Sequence, residues 1–185
     1  AQLISQFINI QVDKKYADEI NADLKTVKIN EVVNAQRIGG TILFCGPYNL
    51  KELLKPKKNT MKLPFKKIGW AYFGTKNVND KKLELSDIPD NLSDNYPPSF
   101  ITDGNAFSFE NQGKALAAAL KRRGIYVKDV FYPKDEAVLK HEYQFNMDTP
   151  YAQKTFDALL DFLKVTAEAK TMPAAKLPSQ ETTTK

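Results

Sequence analysis

The sequence predicts an α/β fold in which a parallel sheet is flanked by helices. Short apolar runs typical of strands alternate along the chain with longer amphipathic segments typical of helices. Parallel strands need crossover connections, and helices of this length supply them. The 185 residues fit one domain, and 42% of them are apolar, which is enough to form a core.

The first segment, residues 1–11 (AQLISQFINIQ), predicts a helix because its apolar residues recur at close to helical spacing. No capping residue and no initiator Met precede this helix, so we expect the chain to be a fragment or a processed product. A second helix is predicted over about residues 14–36.

Residues 39–49 (GGTILFCGPYN) form a continuous apolar run between glycines and a proline. This pattern predicts a buried strand of a sheet that is covered on both faces. Cys45 ends the run, and we expect it to be a packing residue of the core.

Residues 50–98 interrupt the regular pattern with prolines and many lysines. We interpret them as a cap-like insertion of loops and short helices. The aromatic cluster GWAYFG, which contains Trp70, Tyr72 and Phe73, either lines an apolar pocket or forms the small core of the insertion. For the lysines between residues 50 and 67, a solvated face is the favoured interpretation over contact with a membrane.

The regular pattern of strands and helices resumes at residues 97–105 (PPSFITDGN). These residues predict a strand that begins after two prolines. A helix is predicted over 108–124, with Ser108 as its cap and Gly124 as its C-terminal stop. Residues 125–133 (IYVKDVFYP) predict the next strand.

The final helix is predicted over 149–164, where Thr149 is the cap and Pro150 takes the first helical position. We expect the ordered domain to cover residues 1–165. Residues 166–185 are polar and contain prolines, and they predict a disordered tail.

Composition excludes several classes of function. A net charge of +5 is too moderate to indicate nucleic acid as a partner, and no nucleic-acid-binding signature accompanies it. With one Cys and one His, the chain has no intrachain disulfide and none of the usual His/Cys zinc sites, so we expect no metal and no cofactor. No apolar run is long enough to span a membrane, and the lack of disulfides favours a cytoplasmic protein.

In a parallel α/β sheet, ligands bind at the carboxyl ends of the strands. Three loops should meet at this edge, and they follow Cys45, Thr102 and Tyr132. The third of them carries His141, the sole histidine of the chain.

The segment PPSFITDGNAFSFENQGKALAAALKRRGIYVKDVFYP, followed by HEYQF and an amphipathic helix, resembles the C-terminal half of α/β-hydrolases. The group it is most similar to is the hormone-sensitive-lipase-like carboxylesterases, and the resemblance covers about residues 1–165. It implies hydrolysis of a small-molecule carboxylic ester by a Ser-His-acid mechanism. His141 matches the position of the catalytic histidine, the general base and acid.

The catalytic acid is less sharply placed by this resemblance. Phe107 or Ser108 stands where the family usually has Asp. The nearest carboxylates are Asp103, which is our first choice because it ends a strand, and Glu110, which is the alternative. Asp103 also fits a turn-forming residue, and Glu110 also fits a role in stabilising the helix dipole.

The family's nucleophile is missing, because no G-x-S-x-G motif occurs in the chain. Residues 1–11 resemble the helix that follows this motif, and Ser5 lies too far into the helix to replace the serine. The serine and the oxyanion hole are therefore expected from a missing N-terminal half or a second chain. The alternative is an inactive, truncated hydrolase fragment that serves as an interaction or structural module. A basic binder of nucleic acid or membranes ranks last.

Overall fold

The computed structural model describes residues 1–20, 38–54 and 63–171. Its three described strands form one sheet, in the order β1 (Thr41–Phe44), β2 (Ser99–Thr102) and β3 (Val127–Val130). Both pairings are parallel. The α/β class and the parallel sheet flanked by helices, predicted from the sequence, are confirmed.

Seven helices accompany the strands in the described part of the chain, together with a short 3-10 helix at Tyr143–Phe145. The helices are α1 (Gln2–Val12), α2 (Lys14–Glu19), α3 (Leu50–Leu54), α4 (Leu63–Phe73), α5 (Lys81–Leu85), α6 (Glu110–Arg122) and α7 (Pro150–Thr171). Helix α2 matches the start of the helix predicted over 14–36, and most of that prediction lies outside the described residues. None of the described helices has the length and apolar character needed to cross a membrane.

Successive side chains of each strand point to opposite faces of the sheet. On one face, Leu43 and Ile101 are fully buried in an apolar cluster that includes Leu116 of α6 and Ile8 of α1. On the other face, the Phe100 ring packs against Phe162 of α7, with 5.9 Å between ring centroids. The central strand β2 is therefore covered on both sides.

Strand β1 differs from the prediction that both of its faces are buried. Leu43 is completely buried, but its neighbour Ile42 is 41% exposed. The difference arises because β1 is the outer strand of the described sheet, and Ile42 points to the face where Phe100 meets α7. A run of apolar residues alone cannot distinguish such a strand from a fully covered one.

Helix α6 begins at Glu110, two residues later than predicted. The carboxylate of Asp103 accepts the backbone N–H of Phe109 at 2.9 Å, so a residue from the end of β2 satisfies this donor. Ser108, the predicted cap, accepts only a long hydrogen bond of 3.4 Å from the N–H of Glu110. The helix ends at Arg122, and Gly124, the predicted stop, follows two residues later with a φ of 72° that suits glycine.

Helix α7 begins at Pro150, as predicted, but continues to Thr171. The boundary expected at residue 165 therefore lies inside the helix, where the Thr166 hydroxyl donates to the carbonyl of Phe162 at 2.9 Å. The remainder of the predicted tail, 172–185, lies outside the described residues.

Candidate functional site

Two of the three loops at the carboxyl edge of the sheet bring an acid and a histidine together. Asp103 directly follows β2 and is only 3% exposed. Its Oδ1 lies 3.1 Å from Nδ1 of His141, in the loop after β3. The two residues singled out from the sequence are thus hydrogen-bonded to each other, and their catalytic role stays a prediction.

The carboxylate of Asp103 is held in a fixed orientation by the backbone. Oδ1 accepts the N–H of Gly104 at 2.8 Å, and Oδ2 accepts the N–H of Phe109. Both oxygens therefore have donors besides the imidazole, so the carboxylate cannot rotate without breaking a hydrogen bond. An acceptor fixed in this way can hold one tautomer of the histidine ring, with the proton on Nδ1.

The loop of Asp103 and the loop of His141 are joined by backbone hydrogen bonds. The carbonyl of Leu139 accepts the N–H groups of Asn105 and Ala106, at 2.8 and 2.9 Å. The N–H of His141 donates to the carbonyl of Ala106 at 3.2 Å. Gly104 permits this close approach, because an added Cβ would lie 2.1 Å from the carbonyl oxygen of Lys140.

The side chain of Asn105 strengthens the same connection. Its amide nitrogen donates to the carbonyls of Tyr132 and Ala137, at 3.0 and 2.7 Å. Its oxygen accepts the N–H of Leu139 at 3.0 Å. The local sequence did not reveal the role of Asn105, because its three partners lie 27 to 34 positions away along the chain.

An apolar cavity of about 280 Å³ is lined in part by Phe109, a neighbour of the histidine. The Phe109 ring contacts the imidazole edge to face, with 5.6 Å between centroids, and it also lines the cavity. The remaining lining residues come from α1, α3, α4 and the loop after β1: Gln2, Leu3, Pro47, Leu50, Leu53, Leu54, Ile68, Gly69, Tyr72 and Phe73. Two residues of the GWAYFG cluster, Tyr72 and Phe73, thus line the same cavity as Phe109, while the Trp70 ring lies against Lys76.

The other candidates for the acid and the nucleophile have different partners. The carboxylate of Glu110 pairs with Lys114, one turn along α6, at 2.7 Å. Phe107, which stands near the family's acid position, is 84% exposed. The hydroxyl of Ser5 is buried and donates to the carbonyl of Gln2 at 2.8 Å, so it is engaged within α1.

Cys45 was expected in the core, and the structure corrects this. It lies half-buried at the end of β1, where its sulfur contacts the side-chain amide of Gln144. Sulfur, a carboxylate oxygen of Asp103 and a ring nitrogen of His141 all lie within 4.8 Å of one another. Cys45 directly follows the last residue of β1 and therefore lies at the edge of the sheet where the site is. The apolar run in the sequence did not reveal where the strand ends.

This sulfur, nitrogen and oxygen set is of a type that zinc accepts. Burial, however, raises the pKa of the Cys45 thiol to about 12, and the charge of Asp103 adds to the rise. Zinc requires the thiolate, and the oxygens of Asp103 already accept three hydrogen bonds. We therefore interpret the cluster as a hydrogen-bonded network.

Each of the three loops contains one non-glycine residue in the left-handed region. These are Cys45 with φ 55°, Phe107 with φ 52° and Glu142 with φ 64°. Such conformations cost free energy, persist where the surroundings impose them, and cluster at functional sites. Their positions therefore mark the carboxyl edge as the candidate site, independently of side-chain chemistry.

Comparison with known proteins gives an informative likeness to a solved structure. No protein-family model matches the chain, and no curated protein matches it. Among solved structures, it is similar to esterase B from Lactobacillus rhamnosis (HN001), with a TM-score of 0.63 and 16% sequence identity. The likeness covers 95% of this chain and 53% of the esterase, so the chain spans about half of that protein's length. The described structure therefore has an α/β-hydrolase-like fold.

Proposed function

We propose that the chain supplies the histidine and the acid of a Ser-His-acid site that hydrolyses small carboxylic esters. The observation that carries the proposal is the 3.1 Å hydrogen bond between His141 and Asp103 at the carboxyl edge of the sheet. The similarity in fold to a protein named as an esterase supports the substrate class. We also propose that the chain is the C-terminal half of a hormone-sensitive-lipase-like enzyme.

In this mechanism His141 takes the proton of a serine hydroxyl as the serine attacks the ester carbonyl. The imidazolium then returns this proton to the leaving alcohol. Asp103 keeps the Nδ1 proton in place and stabilises the transient positive charge. Because the side chain of His141 is 33% exposed, its ring remains accessible to a nucleophile and a substrate.

The nucleophile and the oxyanion hole come, in this proposal, from polypeptide that the sequence does not contain. A missing N-terminal half or a second chain would bring the serine to His141. The apolar cavity beside Phe109 would then hold the hydrocarbon part of the ester, and the insertion 50–98 would act as the cap over it. We further propose a cytoplasmic location, supported by the single cysteine.

The test begins with the intact mass of the product of the natural gene and its activity on a p-nitrophenyl ester. We expect a longer, active product in which His141→Ala lowers kcat by about 10³-fold or more. Lys140→Ala is the matched control, because Lys140 is the exposed neighbour in the same loop. It should leave the activity unchanged.

A second candidate function is an inactive hydrolase-like module that binds another protein. It is favoured by the exposure of Ile42 on the outer described strand, since exposed apolar strands pair with other chains. If the natural product has 185 residues, does not hydrolyse the ester and behaves in the same way after His141→Ala, this function is supported and ester hydrolysis is rejected.

A further inference from the structure

The sulfur of Cys45 connects the end of β1 to the loop of His141. The amide nitrogen of Gln144 donates to Sγ at 3.1 Å, and the thiol donates to the amide oxygen at 3.4 Å. Gln144 is only 6% exposed and lies three residues after His141. Without the sulfur, a buried side-chain amide would lose both of these contacts, which is costly.

Cys45 is itself fixed on the side of the acid. Its backbone N–H donates to the carbonyl of Thr102 at 3.0 Å, and Thr102 immediately precedes Asp103. The sheet therefore sets the position of the sulfur relative to the carboxylate. A displacement of Gln144 would move the loop of His141 relative to a sulfur and an acid that stay in place.

The chain between His141 and Gln144 transmits such a displacement. Glu142 is left-handed, and the 3-10 helix Tyr143–Phe145 follows it directly. Tyr143 is buried, and its hydroxyl lies 2.8 Å from that of Thr102. Two consecutive side chains of this short helix, Tyr143 and Gln144, are thus bound to the ends of β2 and β1, which leaves the strained turn at Glu142 little freedom.

We propose that Cys45 is a positioning residue for the His141–Asp103 pair. Its sulfur binds Gln144 and so holds the loop of His141 at the distance from β1 that the hydrogen bond to Asp103 requires. The purpose of this device rests on the proposed function. The contacts themselves lie within this chain, so they are testable without a nucleophile or a substrate.

The single histidine makes the test direct, because the imidazole of the full chain gives one set of NMR signals. In Cys45→Ala we expect the Nδ1 proton of His141 to exchange with water about five- to tenfold faster, the effect of losing roughly one hydrogen bond. Cys45→Ser retains a donor and an acceptor, and it should restore most of the slow exchange. The charged neighbours Asp103, Lys140 and Glu142 are unchanged in both variants.

A control separates positioning from a general loss of stability. Ser86 is buried, and its hydroxyl donates to the carbonyl of Leu83 at 2.7 Å, in the insertion. Ser86→Ala should lower the stability without changing the imidazole signals. If Cys45→Ala also leaves the exchange of the Nδ1 proton unchanged, the proposal is wrong.

The other end of the contact gives an independent variant, which also serves if Cys45→Ala fails to fold. Gln144→Met is of similar size and should accelerate the exchange as Cys45→Ala does, and the double variant should add little to either change. Additive effects would show that the two residues act separately and would overturn the proposal.

The outcome of this experiment can be distinguished from the outcome of the test of ester hydrolysis. If the Nδ1 proton exchanges faster in Cys45→Ala while the natural product hydrolyses no ester, Cys45 is a positioning residue and the proposal of ester hydrolysis is rejected. If the natural product hydrolyses the ester but the exchange of the Nδ1 proton is unchanged in Cys45→Ala, ester hydrolysis is supported and the positioning role of Cys45 is rejected.

Discussion

A Cβ added to Gly104 would lie 2.1 Å from the carbonyl oxygen of Lys140, so these two residues touch through their backbones. Their contact joins the loop that follows Asp103 to the loop that carries His141. Main-chain contacts therefore hold the acid and the histidine close to each other, and the side chains of Asn105, Cys45 and Gln144 add to them.

The first prediction concerns this contact. Gly104→Ala should lower the free energy of unfolding by about 2–3 kcal/mol, because a backbone carbonyl has to move to admit the methyl group. The same movement should lengthen the bond between His141 and Asp103. Urea denaturation and the NMR signals of the imidazole measure the two effects.

The matched control is Gly74→Ala. Gly74 has open space around it, so this change costs only the strain of a side chain at a left-handed φ of 67°, about 1 kcal/mol. An equal loss of stability in the two variants would contradict the role given to the contact with Lys140.

A second prediction concerns the side chain of Asn105. Asn105→Leu preserves its approximate size and removes three hydrogen bonds to the loop of His141, so we expect a loss of about 2–3 kcal/mol. Asn77→Leu is the control, since Asn77 is exposed and its side chain accepts one bond, from the N–H of Asn79. Thermal unfolding of both variants would test the difference, and equal midpoints would count against the prediction.

Much of this architecture was accessible from the sequence, because strands and helices carry local signals. The apolar runs predicted β1, β2 and β3, and the strand-end rule selected Asp103. The contacts that complete the site are long-range and leave no such signal. Asn105 accepts the N–H of Leu139 across 34 positions, and Gln144 contacts Cys45 across 99 positions. The end of α7 was placed too early, because polar residues of a solvated helix resemble those of a tail.

Strand β1 offers a third prediction, since adjacent residues face different environments. Leu43→Ala should cost about 2–5 kcal/mol, because it opens a cavity in the buried cluster. Ile42→Ala should cost clearly less, because Ile42 is already 41% exposed. Chemical denaturation of the isolated chain decides this, and similar costs would mean that another part of the molecule covers Ile42.

The fourth prediction concerns alkaline pH. Burial raises the pKa of Cys45 from 9.0 to about 12 and also raises that of the buried phenol Tyr96. The unfolded chain therefore releases these protons first, so the stability they contribute is complete below about pH 9 and is lost as the pH rises toward 12. The urea midpoint should be flat near neutrality and fall above about pH 9.

The absorbance of ionised tyrosine gives a check on this interpretation. Buried tyrosines should ionise together with unfolding, so phenolate absorbance and loss of near-ultraviolet circular dichroism should coincide. Cys45→Ser should make the fall between pH 9 and 12 less steep. Full ionisation of all tyrosines in a chain that remains folded would refute the argument.

The backbone ladder between the loops of Asp103 and His141 has a consequence for how the molecule opens. Because Leu139, Asn105 and Ala106 share their hydrogen bonds, neither loop can detach without breaking those of the other. The two loops should behave as one cooperative unit, whose amides exchange with solvent in the same rare opening. An opening of this unit would then displace Asp103 and His141 at the same time. While the unit is closed, both residues stay in their positions in the site.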